Sequence, residues 1–404
     1  MKKKILFLGY VVTPEEANIA SGASVAGNKM QWNVIKNLSQ IRDVEIDCVT
    51  VPPRAAFPHD KKVFCKSEKV EIIKNVMSYR ISFCNLPVIK QFWQIITTYK
   101  TAKRLITEKN IDVVLCFNLF PQIGVPMRWI KNRFRQLETV CLLADLPIDD
   151  NTKRKGLSSW LRSLMEKSTW KSMEVCDKYI VLNKHVIEKY LPNKPYVVVE
   201  GGVSDEDIKK YDIPVKKGEE KNILYCGALT EYNGVLNLIQ AMDLLDDTDI
   251  ILDIYGDGYL RKEVEDAAEK NCRIRYFGRI SNEEVMKKQK EAWLLINPRI
   301  VDDPIAQVTF PSKTFEYLLS GTPVLTTKLN GYDEEYLENM YISENDSSSA
   351  ISDAVRKIST FSKEDLNKKA EAAKVFAKEK KNWKVQTMKI EQFIGGNDVS
   401  ERKK

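Results

Sequence analysis

The sequence predicts an α/β protein of two facing Rossmann-like domains with a cleft between them. Three observations predict it. Short apolar segments of strand length alternate with stretches of helical period in both halves of the chain. A polar stretch separates the halves, and two apolar segments of the second half run into glycines. At 404 residues the chain is also too long for one compact core and suits two.

Residues 4–12 read as the first strand, 13–27 as a loop, and 30–38 as a helix carrying Trp32, Ile35 and Leu38 at helical spacing. Residues 44–49 return as a strand, which is the opening of a parallel sheet. Segments 112–117, 139–144, 180–183 and 196–200 repeat the strand pattern, completing a first domain over residues 1–205. Residues 206–221, polar and holding Pro214 and Gly218, read as a linker. A second domain, residues 222–375, follows. Its strands are expected at 222–227, 250–255, 274–277, 292–297 and 322–326, with helices at 235–242 and 259–268. Residues 376–404 read as a charged helix that crosses back to the first domain, anchored by Phe376, Trp383 and Phe393. Ligands of such open sheets bind beyond the carboxyl ends of the strands.

Composition is that of a folded protein, 43% hydrophobic and 29% charged, with no apolar stretch long enough to span a bilayer. The apolar run after the basic N-terminus is short and lacks a small-residue cleavage site, so it reads as a strand rather than a signal peptide. None of the eight cysteines forms a pair with metal-ligand spacing, and His59 and His185 are the only histidines. A reduced, cytoplasmic protein is expected, with a possible place on the inner face of the cytoplasmic membrane. Charge is uneven. Residues 1–200 hold 32 Lys and Arg against 19 Asp and Glu, and the remainder 31 against 37. A basic half suits anionic lipid, a phosphorylated acceptor or nucleic acid, or simply solubility; no nucleic acid is expected as a partner.

The most informative segment is residues 310–325, Phe-Pro-Ser-Lys-Thr-Phe-Glu-Tyr-Leu-Leu-Ser-Gly-Thr-Pro-Val-Leu. Pro311 and Ser312 suit a helix start and Gly321 a helix end. Free amides at that start, with Ser312 and Lys313, make a site for an anion such as a diphosphate. Glu316, one turn on, is placed to accept hydrogen bonds from a ribose diol.

This segment resembles the donor-binding signature of GT-B-fold glycosyltransferases of family 4, in particular a subgroup with Phe-Pro-Ser-Lys found in capsule, O-antigen and exopolysaccharide assembly. The resemblance implies that Ser312, Lys313 and Thr314 hold the diphosphate and that Glu316 contacts the nucleotide ribose. The family's first Glu falls on Val308 and is absent. Gly227, with Ala228, Gly234 and Val235, resembles the opening of the family's donor domain. There Ala228 and Tyr232-Asn233 replace the usual cations, leaving phosphate binding to Lys313 and Arg299. Gly256 lies in the family's Gly-x-Gly turn. Arg279, at the strand and helix near the base pocket, faces base, phosphate or solvent. Ser281 and Glu284 beside it have the spacing of a capping box.

In the first domain the resemblance sets Gly22 and Ala23 in the loop that lies against the diphosphate and transferred sugar; the plain alternative is a surface loop. At the family's histidine position, after the fourth strand, stands Asp145, expected to bind a sugar hydroxyl, orient the acceptor or act as base. Asp149, Asp150 and Asn118 are its alternatives. Residues 127–135 and 160–167, with Arg154 and Lys155, are basic and amphipathic. They suit either an anionic membrane or packing on the sheet.

The implied activity is retaining transfer of a sugar from a nucleotide-diphosphate sugar, UDP favoured, to a saccharide or lipid-linked saccharide in surface polysaccharide biosynthesis. No cofactor and no metal is expected, since Lys313 and backbone amides can stabilise the departing diphosphate. A two-domain nucleotide-sugar epimerase, or a non-enzymatic or inactive sugar- or nucleotide-binding homologue, is the competing reading.

Overall fold

The first sheet grows from residues whose side chains are apolar on both faces, as a strand covered by helices on each side requires. Its strands are β1 (Lys3–Gly9), β2 (Val44–Thr50), β4 (Glu68–Ile73), β5 (Val76–Arg80), β7 (Val113–Phe117), β8 (Glu138–Leu143), β9 (Lys178–Val181) and β10 (Tyr196–Val198). A separate two-stranded pair is formed by β3 (Phe64–Cys65) and β6 (Phe83–Cys84). The order is β10-β9-β8-β7-β1-β2-β5-β4, parallel except where β4 pairs antiparallel to β5 at one edge. Leu6, Phe7 and Leu8 of β1 are fully buried at its centre. The computed structural model describes residues 2–147, 157–247 and 249–395.

The second sheet, of β11 (Lys221–Cys226), β12 (Ile250–Tyr255), β13 (Ile274–Tyr276), β14 (Leu294–Asn297), β15 (Val324–Thr327) and β16 (Tyr341–Ser343), is parallel throughout, in the order β13-β12-β11-β14-β15-β16. That is the doubly wound order of dinucleotide-binding folds, which reverses direction beside β11. Its core packs Ile223, Leu252, Ile254, Leu294 and Ile296 against helix residues such as Leu238, Met242 and Val264.

The chain divides into two units, Met1–Glu200 with Gln386–Lys404, and Gly201–Val385. Residues 206–221 are therefore not a free linker. Ser204 and Asp207 form a capping box that opens the helix Asp205–Tyr211. Tyr211 is buried, and the Gly218 amide donates to the carbonyl of Glu291. Residues 13–27 likewise contain a helix, Pro14–Ile19, with its own capping box between Thr13 and Glu16. The next helix runs Val25–Leu38, capped by Ser24. From Gln386 onward the C-terminal helix Trp383–Gly395 belongs to the first unit. There Lys178 Nζ donates to the Phe393 carbonyl at 2.9 Å and Gln386 Nε2 to Glu200 at 3.2 Å.

Of the two basic amphipathic segments, residues 127–135 lie mostly on the helix Pro121–Arg133. This turns Met127 and Ile130 into the core and leaves Trp129 40% exposed, which is largely the sheet-packing alternative. In the helix Leu157–Trp170, Leu164 is 45% exposed. The side chains of Trp160 and Leu161, and residues Asp149, Asp150, Arg154 and Lys155, lie outside the described residues. Among the described residues no helix is long and apolar enough to cross a membrane.

Candidate active site

At the carboxyl ends of β11, β12 and β13 a cavity of about 380 Å³ opens in the second unit. Its floor is backbone. The Gly227 amide donates to the Tyr255 carbonyl and the Gly256 amide to the Gly278 carbonyl, so the ends of the three strands are stitched together. Glycine is required at two of these places. Gly256 has φ +145°, and a Cβ there would lie 1.7 Å from the carbonyl oxygen of Gly227. At Gly227 a Cβ would lie 2.5 Å from Lys313 Nζ, so its missing side chain is the space the lysine occupies.

Ser312, Lys313 and Glu316 form the opposite wall, from the helix Lys313–Leu319 and the residue before it. Lys313 reaches over the Tyr225 ring, Nζ 5.8 Å from its centroid, and donates to the Cys226 carbonyl. Burial pushes its pKa down, the nearby charge of Arg299 pushes it further, and Glu316 works against both. Ser312 is exposed and its hydroxyl caps no backbone amide, leaving it for a ligand. The expected free amides are fewer than the sequence suggested. The Thr314 and Phe315 amides donate to the carbonyls of Pro311 and Ser312 in a tight turn.

Gly227, Gly256, Arg279, Ser312, Lys313 and Glu316 are thus brought together. Thr314 and Arg299 are placed elsewhere. The Thr314 hydroxyl is buried and shares a 2.7 Å hydrogen bond with Tyr332, a packing role in place of the expected diphosphate contact. Arg299 is 7% exposed and lies behind the cavity. Its guanidinium is 5.2 Å from the Tyr232 ring and hydrogen-bonded to Thr309, with Nε unpartnered. Its charge reaches Lys313, but its side chain does not line the opening.

Sequence reasoning missed Gln289. It is fully buried, lines the cavity and accepts from the Tyr211 hydroxyl at 2.5 Å, while Nε2 has no partner. A buried amide left unsatisfied at a cavity wall is a ready contact for a polar ligand. Its position on the helix Asn282–Glu291, opened by the Ser281–Glu284 box, carries no motif that would have singled it out. Tyr255 stacks on Phe277 at 4.8 Å and 12°, which sets an aromatic face beside Ile280 and Asn282 at the rim.

The first unit has its own cavity, about 320 Å³, which gathers Gly22, Ala23 and Asp145 at the ends of β1, β7 and β8. Asn118 orders its floor. Held at φ +55°, it accepts from the amides of Ala144 and Asp145 at 2.8 and 3.0 Å and donates Nδ2 to Asp145 Oδ2 at 3.0 Å. Asp145 reaches solvent but sits in the concave wall. Desolvation raises its pKa, against the lowering effect of the Asn118 amide. Gly22 is small for a local reason, since a Cβ would meet the backbone of Arg54 at 2.6 Å. The side chains of Gln91 and Gln94 join Tyr10 and Phe117 around the opening, a mixture of hydrogen-bonding groups and aromatic faces that suits a sugar, while the amides of Asn28 and Gln31 are spent on the backbone of Val12, Tyr10 and Gly27.

Residues 206–381 match the family model described as glycosyl transferases group 1. An uncharacterized glycosyltransferase of Methanocaldococcus jannaschii is 27% identical over 258 residues, which cover 62% of this chain and 66% of that protein, just under two thirds of its length. Among solved structures, sucrose-phosphate synthase from Thermosynechococcus elongatus superimposes with a TM-score of 0.65 at 14% identity, covering 97% of this chain and 98% of that one. Anabaena HepE, solved in complex with UDP, does so with a TM-score of 0.60 at 14% identity, covering 98% and 100%. The solved structures share this fold, and the family match falls on the second unit, which holds the cavity of Lys313 and Glu316.

Proposed function

We propose that this chain is a retaining glycosyltransferase that moves a sugar from a nucleoside diphosphate sugar to a saccharide or lipid-linked saccharide. The observation that carries the reading is the cavity at the ends of β11–β13, where Lys313, Ser312 and Glu316 face two glycine turns. Lys313 supplies the charge that meets the diphosphate as its bond to the sugar breaks, Ser312 donates beside it, and Glu316 accepts from the ribose. Arg299 adds its charge from behind Lys313. On this reading no metal ion is needed, because the cation facing the leaving group is the lysine. The UDP in the HepE structure supports uridine as the first base to try.

In the first unit, Asp145 is the group proposed to hold an acceptor or donor sugar hydroxyl, positioned by Asn118, with Gly22 and Ala23 beside it. Membership of the Phe-Pro-Ser-Lys subgroup, and with it a role in capsule, O-antigen or exopolysaccharide assembly on the cytoplasmic side of a membrane, is proposed from residues 310–313 and Glu316. The test is release of nucleoside diphosphate from a panel of sugar nucleotides, with and without oligosaccharide acceptors, and NMR assignment of the new anomeric linkage. Transfer with retained configuration is expected. An inverted linkage overturns the stereochemical reading, and tight donor binding with neither transfer nor hydrolysis points to an inactive binding homologue.

A further inference from the structure

The first unit carries an apolar surface that its own core does not use. On the helix Ile89–Lys109, Gln94, Thr98, Ala102 and Leu105 face inward. Ile89, Phe92, Trp93 and Ile96, at spacings of three and four, form a second stripe that faces solvent, with exposures of 48, 65, 40 and 47%. A soluble helix needs one apolar stripe, and the second is left uncovered by the described residues.

The stripe continues onto neighbouring segments. Phe64, 47% exposed, meets Trp93 edge-on at 6.1 Å. Phe57 and Val63, 40 and 43% exposed, are tied to the same place, since the Phe57 amide donates to the Asn85 carbonyl and the Asn85 amide to that of Val63. At the far end Tyr99 meets the exposed Trp129 at 5.3 Å. Val88, which opens the helix, is itself 40% exposed and held at φ +68°, a conformation costly for a β-branched residue. A contiguous apolar surface of this extent marks an interaction site.

Its charge says with what. Residues 85–104 hold four Lys and Arg and no Asp or Glu, and residues 57–69 hold four Lys against two acids. One of those acids, Asp60, is taken by Arg54 at 2.8 Å. Lys90 turns to the other side of the helix and Arg104 meets Glu108 at 3.9 Å, which leaves Lys61, Lys62, Lys66, Lys100 and Lys103. Exposed aromatic and aliphatic side chains with these lysines beside them fit the headgroup boundary of an anionic bilayer, where apolar groups enter and lysines meet lipid phosphates.

We propose that this face, the outer stripe of the helix Ile89–Lys109 with the 57–64 loop and Trp129, docks the protein on an anionic membrane. The same helix lends Lys90, Gln91 and Gln94 from its other side to the cavity that holds Asp145. Docking therefore brings that cavity to the lipid surface, where a lipid-linked acceptor would be presented. This consequence rests on the glycosyltransferase reading; the docking itself does not.

The test is flotation of the full chain with vesicles of phosphatidylcholine alone or containing phosphatidylglycerol. Binding to the anionic vesicles, weakened by raised salt, is expected, with a loss of about tenfold or more in Phe92→Ser/Ile96→Ser. Lys61→Glu/Lys62→Glu should lose the preference for anionic lipid. Nucleoside diphosphate binding by the same variants reports separately on the second unit and should be unchanged. Failure to bind either vesicle overturns the proposal, as does unchanged binding by the apolar variant. Self-association of the wild type that the apolar variant abolishes, without vesicle binding, overturns it in favour of a second copy as the occupant.

Discussion

A methyl group on residue 227 would lie 2.5 Å from Lys313 Nζ and 2.7 Å from the Tyr225 hydroxyl. Gly227→Ala must therefore displace the lysine or the tyrosine, and should imitate Lys313→Ala in function while retaining the charge. Removing a charge-assisted contact to phosphate costs about 1.5–3 kcal/mol. Lys313→Ala should then weaken nucleoside diphosphate binding about tenfold to a hundredfold by calorimetry. Glu316→Ala should weaken nucleotides more than inorganic diphosphate, because its proposed partner is the ribose. Equal loss for both ligands would remove that assignment. Asp145 is the titrating counterpart. Desolvation raises its pKa, so in the folded protein it remains protonated at pH values where a free aspartate, near 3.9, is ionised. If the carboxylate is the working form, the acid limb of the rate profile lies above the value of a free aspartate, and activity rises as pH climbs through it. Stability runs the other way: ionisation is less favourable in the fold than in the unfolded chain, so the residue's contribution falls as pH rises from the ordinary value through the raised one. Asp145→Asn should lower the rate and remove that limb, and an unchanged limb in the variant assigns it to another group.

At the scale of elements, the site depends on how closely two glycine turns pack. Gly256 combines φ +145° with a virtual Cβ 1.7 Å from the Gly227 carbonyl, and the neighbouring Gly258 with one 2.3 Å from that of Leu229. Overpacking costs about 1–3 kcal/mol where side chains can yield, and here the obstacle is backbone. Gly256→Ala should lower the melting temperature measurably and weaken donor binding together, whereas Lys313→Ala should affect binding alone. These turns were legible because glycine after an apolar run leaves few conformational explanations. Lys313 and Glu316 were legible because proline, serine and glycine punctuate the helix that carries them. Other elements were hidden for physical reasons. The helices Pro14–Ile19 and Asp205–Tyr211 are short and polar, held by capping boxes rather than by an apolar stripe, so hydrophobic period is silent about them. The pair β3 and β6, two residues each, is below the length at which alternation can be seen. Thr314 sits one residue from Lys313 in sequence but points a quarter-turn away, into Tyr332. Gln289 is notable only because a tyrosine from a segment read as linker bonds to it.

For the whole molecule, the consequence of interest is that the cavity proposed for the donor lies within one unit. Every residue lining it falls between Cys226 and Glu316, inside the unit Gly201–Val385. A ligand that binds only the native cavity must raise the stability of the fold that forms it, by about 2.7 kcal/mol at a free concentration one hundred times Kd. Thermal unfolding in the presence of uridine, guanosine, adenosine and thymidine diphosphates should therefore show one base ahead of the rest. The wall of Gln289, Asn282 and Ile280, with the Tyr255–Phe277 stack at the rim, offers fixed polar and aromatic contacts rather than a featureless slot. Gln289→Leu keeps the volume and removes the unpartnered amide. It should narrow the gap between the preferred base and the others while leaving inorganic diphosphate binding as it was. Equal stabilisation by all four bases in the wild type would mean that the cavity reads only the diphosphate and ribose. An effect of Gln289→Leu on melting temperature but not on base preference would return that residue to the packing of the helix Asn282–Glu291 against Tyr211.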